Sequence, residues 1–239
     1  MSPRSWRATS PASSPPSANG HACRRVYNSM AMSALPGSFP AIPRLENGDR
    51  LTVAEFERRY EAMPGEKKAE LIEGVVYLSS PVSFGHSAAE SSLGTWLGVY
   101  RAGHAAELEV GHNATVRLGS KNEVQPDICL RRVTGGTSAS TPDGYLEGPP
   151  ELVVEIAASS VSRDLHSKKN VYRRAGVREY VVLRLLDGEL DWFELRDGQY
   201  VRREPDAAGI IESVQFPGLR LDVPALLAGD LPRLLAALG

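Results

Sequence analysis

The sequence predicts an α/β domain, with a mixed central β-sheet flanked by helices and a disordered N-terminal tail. Three observations carry this expectation. Short apolar runs bounded by turn residues recur between residues 69 and 195, the pattern of buried strands. Two of them, Glu151 to Ala157 and Glu179 to Leu186, flank a helix-length stretch, as a strand–helix–strand crossover requires. The first forty or so residues are instead rich in Ser, Pro and Ala, carry Arg4, Arg7, Arg24 and Arg25, and hold no acid before Glu46. Such a composition buries too little apolar surface to fold. The tail is placed at residues 1–43 and the folded domain at 44–239. Met30 and Met32 offer internal starts close to the ordered region, and a transit peptide has a similar composition.

Taken in order, Thr52 and Glu55 have capping-box spacing and start a short helix that runs to about Tyr60. Ala69 to Ser79 reads as two short strands around Glu73-Gly74. Pro81 breaks the chain. A long helix is expected from His86 to Arg101, with Leu93, Trp96, Leu97 and Tyr100 as its inner stripe and Gly103 as its stop. Leu108 to Leu118 and Gln125 to Arg131 are strand-like. Thr134 to Gly148 lacks periodicity and reads as an exposed loop. A strand (151–157), a helix (about 163–175) and a strand (179–186) follow. Asp187-Gly188 and Asp197-Gly198 have hairpin-turn chemistry, with a strand between them. Pro224 to Leu238 is leucine-rich and helical in character.

Composition limits the function classes. The formal net charge is −2, so the chain as a whole has no basic footprint for coating nucleic acid. Basic residues are local: seven Lys or Arg lie between Arg163 and Arg184 against Asp164 and Glu179, which a solvated helix face also explains. Cys23 and Cys129 have neither zinc spacing nor a disulfide framework, and a reducing cytoplasm is the simplest compartment. No apolar run has membrane-spanning length, so no membrane partner is expected.

The chemistry concentrates on three residues. Glu155 sits in Glu151-Leu152-Val153-Val154-Glu155-Ile156-Ala157, a run apolar enough to be buried on both faces. A carboxylate there needs a cation, a hydrogen-bond donor or a raised pKa. Asp127 opens another short strand, Val124 to Leu130. At about 100° per residue, Val161, Leu165, Lys168, Tyr172 and Ala175 share one helix stripe, and Lys168 is near its centre. Each has an ordinary explanation when taken singly. Lys168 can snorkel along its own stem, Glu155 can pair with a loop, and Pro-Asp is a common turn signal. Together, two carboxylates from neighbouring strands and an inward-pointing lysine form a site for a divalent metal and a phosphodiester.

The stretches ELIEGVVYLSSP with His86, NEVQPD, PELVVEIAASS, DLHSKKNVYRRAGVREYVV and SVQFPGLRLDV carry a resemblance. In their order and spacing, over roughly residues 51–230, the chain resembles the bacterial Uma-type restriction endonucleases, a branch of the PD-(D/E)XK nuclease superfamily. The resemblance implies a restriction endonuclease-like core and a metal-dependent endonuclease. It matches Asp127 to the PD aspartate, Glu155 to the second acid, and Lys168 to a lysine that has migrated onto the following helix. Position 157, the usual site of that lysine, is Ala157. The chain departs from the family at Ala157-Ala158-Ser159-Ser160, where many members carry Ser-Pro-Ser, and at Tyr180-Val181, where Tyr-Trp is common.

On this reading Asp127 and Glu155 hold Mg²⁺, with Mn²⁺ as a substitute, and Lys168 orients a water or stabilises charge on the phosphorane. Glu70 is placed to add a third carboxylate. His86 is open between a phosphate contact and a capping or core-edge role. Asp164, one turn before Lys168, is spaced for an ion pair with it. The expected partner is nucleic acid, with DNA favoured, and double-strand cleavage would need two sites, as in a homodimer. A nuclease-fold module that binds without cleaving is the alternative. An acyl hydrolase using Ser159 or Ser160 is disfavoured, because no nucleophile elbow surrounds them.

Overall fold

The crossover expected between residues 151 and 186 forms the middle of the computed structural model, which describes residues 42–63, 65 and 68–238. The tail expected over 1–43 lies outside the described residues except for Ile42 and Pro43.

Helix α1 (Val53–Glu61) begins as predicted, with Thr52 Oγ1 accepting the Glu55 N–H at 3.3 Å. Strands β1 (Ala69–Ile72) and β2 (Val75–Leu78) form a hairpin. Its turn residues Glu73 and Gly74 both have positive φ, 53° and 78°, which matches the twist of the flanking strands. Helix α2 (Phe84–Ala102) starts two residues early, because Ser83 accepts the His86 N–H and caps it. Leu93, Trp96, Leu97 and Tyr100 are its buried face.

Two runs read as single strands are broken. Asn113, with φ 50°, separates β3 (Leu108–His112) from β4 (Val116–Arg117). Pro126-Asp127 lies between β5 (Glu123–Val124) and β6 (Ile128–Arg132). The expected loop 134–148 holds two short strands, β7 (Ala139–Ser140) and β8 (Leu146–Glu147). Strand β9 (Leu152–Ala157) leads into α3 (Val161–Arg163), a π-helical turn (Asp164–Lys168) and α4 (Lys169–Ala175). Gly176, at φ 94°, ends that helix in the left-handed conformation. Then come β10 (Glu179–Arg184), β11 (Glu189–Arg196), β12 (Gln199–Arg203), β13 (Ile210–Glu212) and β14 (Arg220–Asp222). The expected C-terminal helix is two, α5 (Val223–Ala228) and α6 (Leu231–Ala236), separated where Gly229 takes φ 70°.

The broken runs create a second six-stranded sheet beside the central one. The central sheet has the order β12-β11-β10-β9-β6-β3 and is mixed, because β9 and β10 run parallel and its other pairs antiparallel. The second sheet, β2-β1-β5-β4-β8-β7, carries Glu70. Side-chain alternation divides the central strands between two cores. Val154 and Ile156 face the core of α2, where Trp96 packs edge-on against Trp192 and donates its indole N–H to the Arg220 carbonyl. Val153 and Ala157 face the core of α4, with Val171 and Tyr172. Glu155, between Val153 and Ala157 in this alternation, therefore points towards the crossover helix.

Candidate active site

Strand pairing brings the two acids together. Asp127 immediately precedes β6, and β6 pairs with β9 so that Ile128 is opposite Val154. The Ile156 N–H donates to Asp127 Oδ2 at 2.8 Å, tying one acid to the backbone beside the other. Glu155 Oε1 receives Lys168 Nζ at 2.6 Å and the Tyr172 hydroxyl at 2.7 Å. Lys168 also donates to Glu70 Oε1 at 2.9 Å, and that oxygen accepts the Gln125 N–H at 2.9 Å. Asp127, Glu155, Glu70 and Lys168 thus form one buried cluster.

The helix face explains how a lysine enters a core. Lys168 and Tyr172 are fully buried, while Val161, Leu165 and Ala175 pack at the margin of the same core. The π-helical turn was not foreseen. It widens the helix over Asp164–Lys168 and buries both of its end residues, and such turns recur at functional sites. Asp164 does not form the expected ion pair with Lys168. Its carboxylate instead accepts the Ser160 hydroxyl at 2.5 Å, and its other oxygen is buried without a hydrogen-bond partner.

His86 reaches the cluster from α2, with Nε2 3.2 Å from Asp127 Oδ2. It neither caps the helix nor packs only at the core edge. Lys68, not foreseen as a site residue, donates to Asp127 Oδ1 at 3.1 Å and to Asn113 Oδ1 at 3.1 Å. It immediately precedes β1, two residues before Glu70, so strand alternation supplied a signal for it. The charge run Glu66-Lys67-Lys68 masks that signal by resembling a solvated turn. Tyr172 shares the helix stripe in the sequence, which carries no signal for its hydroxyl.

Four carboxyl groups, Glu70, Asp127, Glu155 and Asp164, share this buried region with Lys168, and burial works against the charge of each. Burial pushes Glu155 up to about 8; Lys168 opposes this, while Asp127, Asp164 and Glu70 add to it. Burial also works against charge on Asp127, but His86, Lys68 and the Ile156 N–H outweigh it and hold its pKa low. For Lys168 burial likewise disfavours charge, and Glu155, Glu70 and Asp164 more than reverse that. The hydrogen bond to Asp127 raises His86. A divalent cation is a group that would favour the ionised form of these carboxyls where burial opposes it. Among the described residues, no group of three or more His, Cys, Asp or Glu forms a ready-made metal cage. Two carboxylate ligands are nonetheless the usual protein share of a Mg²⁺ site, with water and substrate phosphate supplying the rest. Asp127 and Glu155 fit that donor set.

A profile of the Uma2 family, described as "Putative restriction endonuclease", matches residues 53–224. The chain belongs to the Uma2 family. The match spans every residue of the cluster, from Lys68 to Tyr172. One solved structure, described as a "putative nuclease belonging to DUF820 from Anabaena variabilis", is similar at a TM-score of 0.58 and 13% identity. The similarity covers 72% of this chain and 96% of that one, and it shows that the Uma2 chain shares its fold. No curated protein sequence matches. Among the described residues, no helix is long and apolar enough to cross a membrane.

Proposed function

We propose that the protein is a metal-dependent endonuclease that hydrolyses phosphodiester bonds, with DNA as substrate. The observation that carries this reading is the convergence of Asp127, Glu155 and Lys168 from two paired strands and the crossover helix between parallel strands. The family description and the structural neighbour support the same class of activity.

Asp127 and Glu155 are the residues that would hold Mg²⁺, or Mn²⁺ in its place. Such an ion supplies Lewis-acid polarisation of a phosphate and a more acidic attacking water. The protein's own share is preorganisation. The Ile156 N–H fixes Asp127, and the Tyr172 hydroxyl and Lys168 fix Glu155. Lys168 also favours the ionised form of Glu155 in a setting where burial opposes it. Its positive charge, 2.6 Å from Glu155 Oε1, would offset negative charge developing on a phosphate bound through such an ion. Cleavage of both strands of a duplex would need two such sites, which a homodimer supplies.

One observation favours a second reading. Asp127, Glu155, Glu70 and Lys168 are each at most 5% exposed. That enclosure suits a nuclease-fold module that binds nucleic acid without cutting it.

Incubating the full chain with plasmid, linear duplex and single-stranded DNA separates the two. The endonuclease reading expects cleavage with Mg²⁺ that EDTA stops and that Asp127→Asn and Glu155→Gln abolish, with melting temperatures retained. Equal cleavage by the variants would overturn the site assignment. Salt-sensitive DNA binding with no cleavage in any metal would establish the second reading.

A further inference from the structure

Asp127 is approached by two partly exposed basic side chains, Lys68 and His86, and they differ in kind from Lys168. Lys168 is sealed, with 1% of its side chain exposed, and is held by two carboxylates. Lys68 keeps 20% of its side chain exposed and His86 keeps 14%. They divide the carboxylate between them: His86 and the Ile156 N–H take Oδ2, and Lys68 takes Oδ1.

We propose that Lys68 holds the place of a cation on Asp127 Oδ1 in the metal-free protein and, when a divalent ion displaces it, becomes a contact for a substrate phosphate. The inference rests on the endonuclease reading and adds a substrate-binding residue to it. Asp127 Oδ2 is anchored by a backbone donor, whereas the partner of Oδ1 sits on a flexible four-carbon stem, so Oδ1 is the oxygen that can exchange partners. Among the described residues the Lys68 ammonium uses two of its three donors, on Asp127 and Asn113.

Its position is built. Asn113 sits at φ 50°, donates its backbone N–H to the Asp127 carbonyl, and donates its side-chain amide to Glu90 Oε1 at 3.0 Å. This places the Asn113 carbonyl oxygen as an anchor 3.1 Å from Lys68 Nζ. A displaced Lys68 keeps that anchor and its partial exposure, and a point charge on a mobile stem suits a phosphate.

The test is isothermal titration of Mn²⁺ into the full-length wild type, Lys68→Met, Lys68→Arg and Asp127→Asn, with melting temperatures recorded for each. A DNA cleavage assay on the same proteins accompanies it. The proposal expects Lys68→Met to bind Mn²⁺ more tightly than wild type, on the order of tenfold, because a competing cation is gone. The same variant should cleave more slowly through a raised KM, and Lys68→Arg should restore both values towards wild type. A residue that only supports the fold would not raise metal affinity while also raising KM. Unchanged or weaker Mn²⁺ binding in Lys68→Met, with binding lost in Asp127→Asn, would overturn this inference and leave the endonuclease reading standing. Tighter binding with unchanged KM would overturn the phosphate contact. No Mn²⁺ binding by wild type, with or without DNA, would overturn both readings.

Discussion

Lys168 Nζ lies 2.6 Å from Glu155 Oε1, and both side chains are sealed from water. The pair joins the crossover helix to the strand it follows, at the point where the second sheet contributes Glu70. Removing one partner from a buried ion pair typically costs about 3–5 kcal/mol, because the other charge loses its compensation. Glu155, already pushed up to about 8, readily takes a proton and relieves part of that cost. Lys168→Met should therefore destabilise the protein by about 3 kcal/mol, at the lower end of that range. Urea unfolding at neutral pH measures it, and a change under about 1 kcal/mol would show that the pair contributes little.

Tyr172 is the other group on Glu155 Oε1, and its phenol ring belongs to the α4 core. Tyr172→Phe preserves the ring and deletes only the donor. Leaving a buried acceptor without its donor costs about 1–3 kcal/mol, so a loss of that size is expected by urea unfolding. Cleavage should fall as well, because Glu155 is then held by Lys168 alone. Full activity in Tyr172→Phe would confine the hydroxyl to a structural role.

Much of this site was legible in the sequence. Glu155 declares itself because an acid in a fully apolar run must have a partner, and Lys168 because a lysine occupies a leucine position on a helix stripe. Asp127 is a weak signal by itself, since Pro-Asp is a common turn, and gains weight only beside the other two and from the family resemblance. The remainder depended on geometry that periodicity does not encode. The left-handed Asn113 breaks a run that reads as one strand, and the piece beyond it joins a different sheet. The π-helical turn leaves no clear mark, because its residues fit an α-helical pattern about as well. Lys68 was hidden in a charge run, and the Tyr172 hydroxyl inside an aromatic already assigned to the core.

A second acid gives a pH signature away from the cluster. Burial and a hydrogen bond to Glu57 push Glu123 up to about 8, with Arg117 opposing. The folded state then keeps a proton that the unfolded state, near the ordinary carboxylate value of 4.5, has released. Stability from this group is present below the unfolded value and is lost as pH rises through the folded one. Glu123→Gln should flatten the decline in stability between about pH 4.5 and about 8, where wild type loses this contribution. Parallel pH profiles of wild type and variant that never converge or cross would contradict the assignment.

The central claim is that Asp127 and Glu155 form a metal site. Titrating Mg²⁺ and Mn²⁺ calorimetrically into the full-length protein, wild type beside Glu155→Gln, tests it most directly. Wild type should bind, more strongly when DNA supplies a phosphate, and Glu155→Gln should lose that binding while remaining folded. Equal binding by wild type and Glu155→Gln, or none by wild type even with DNA present, would contradict it.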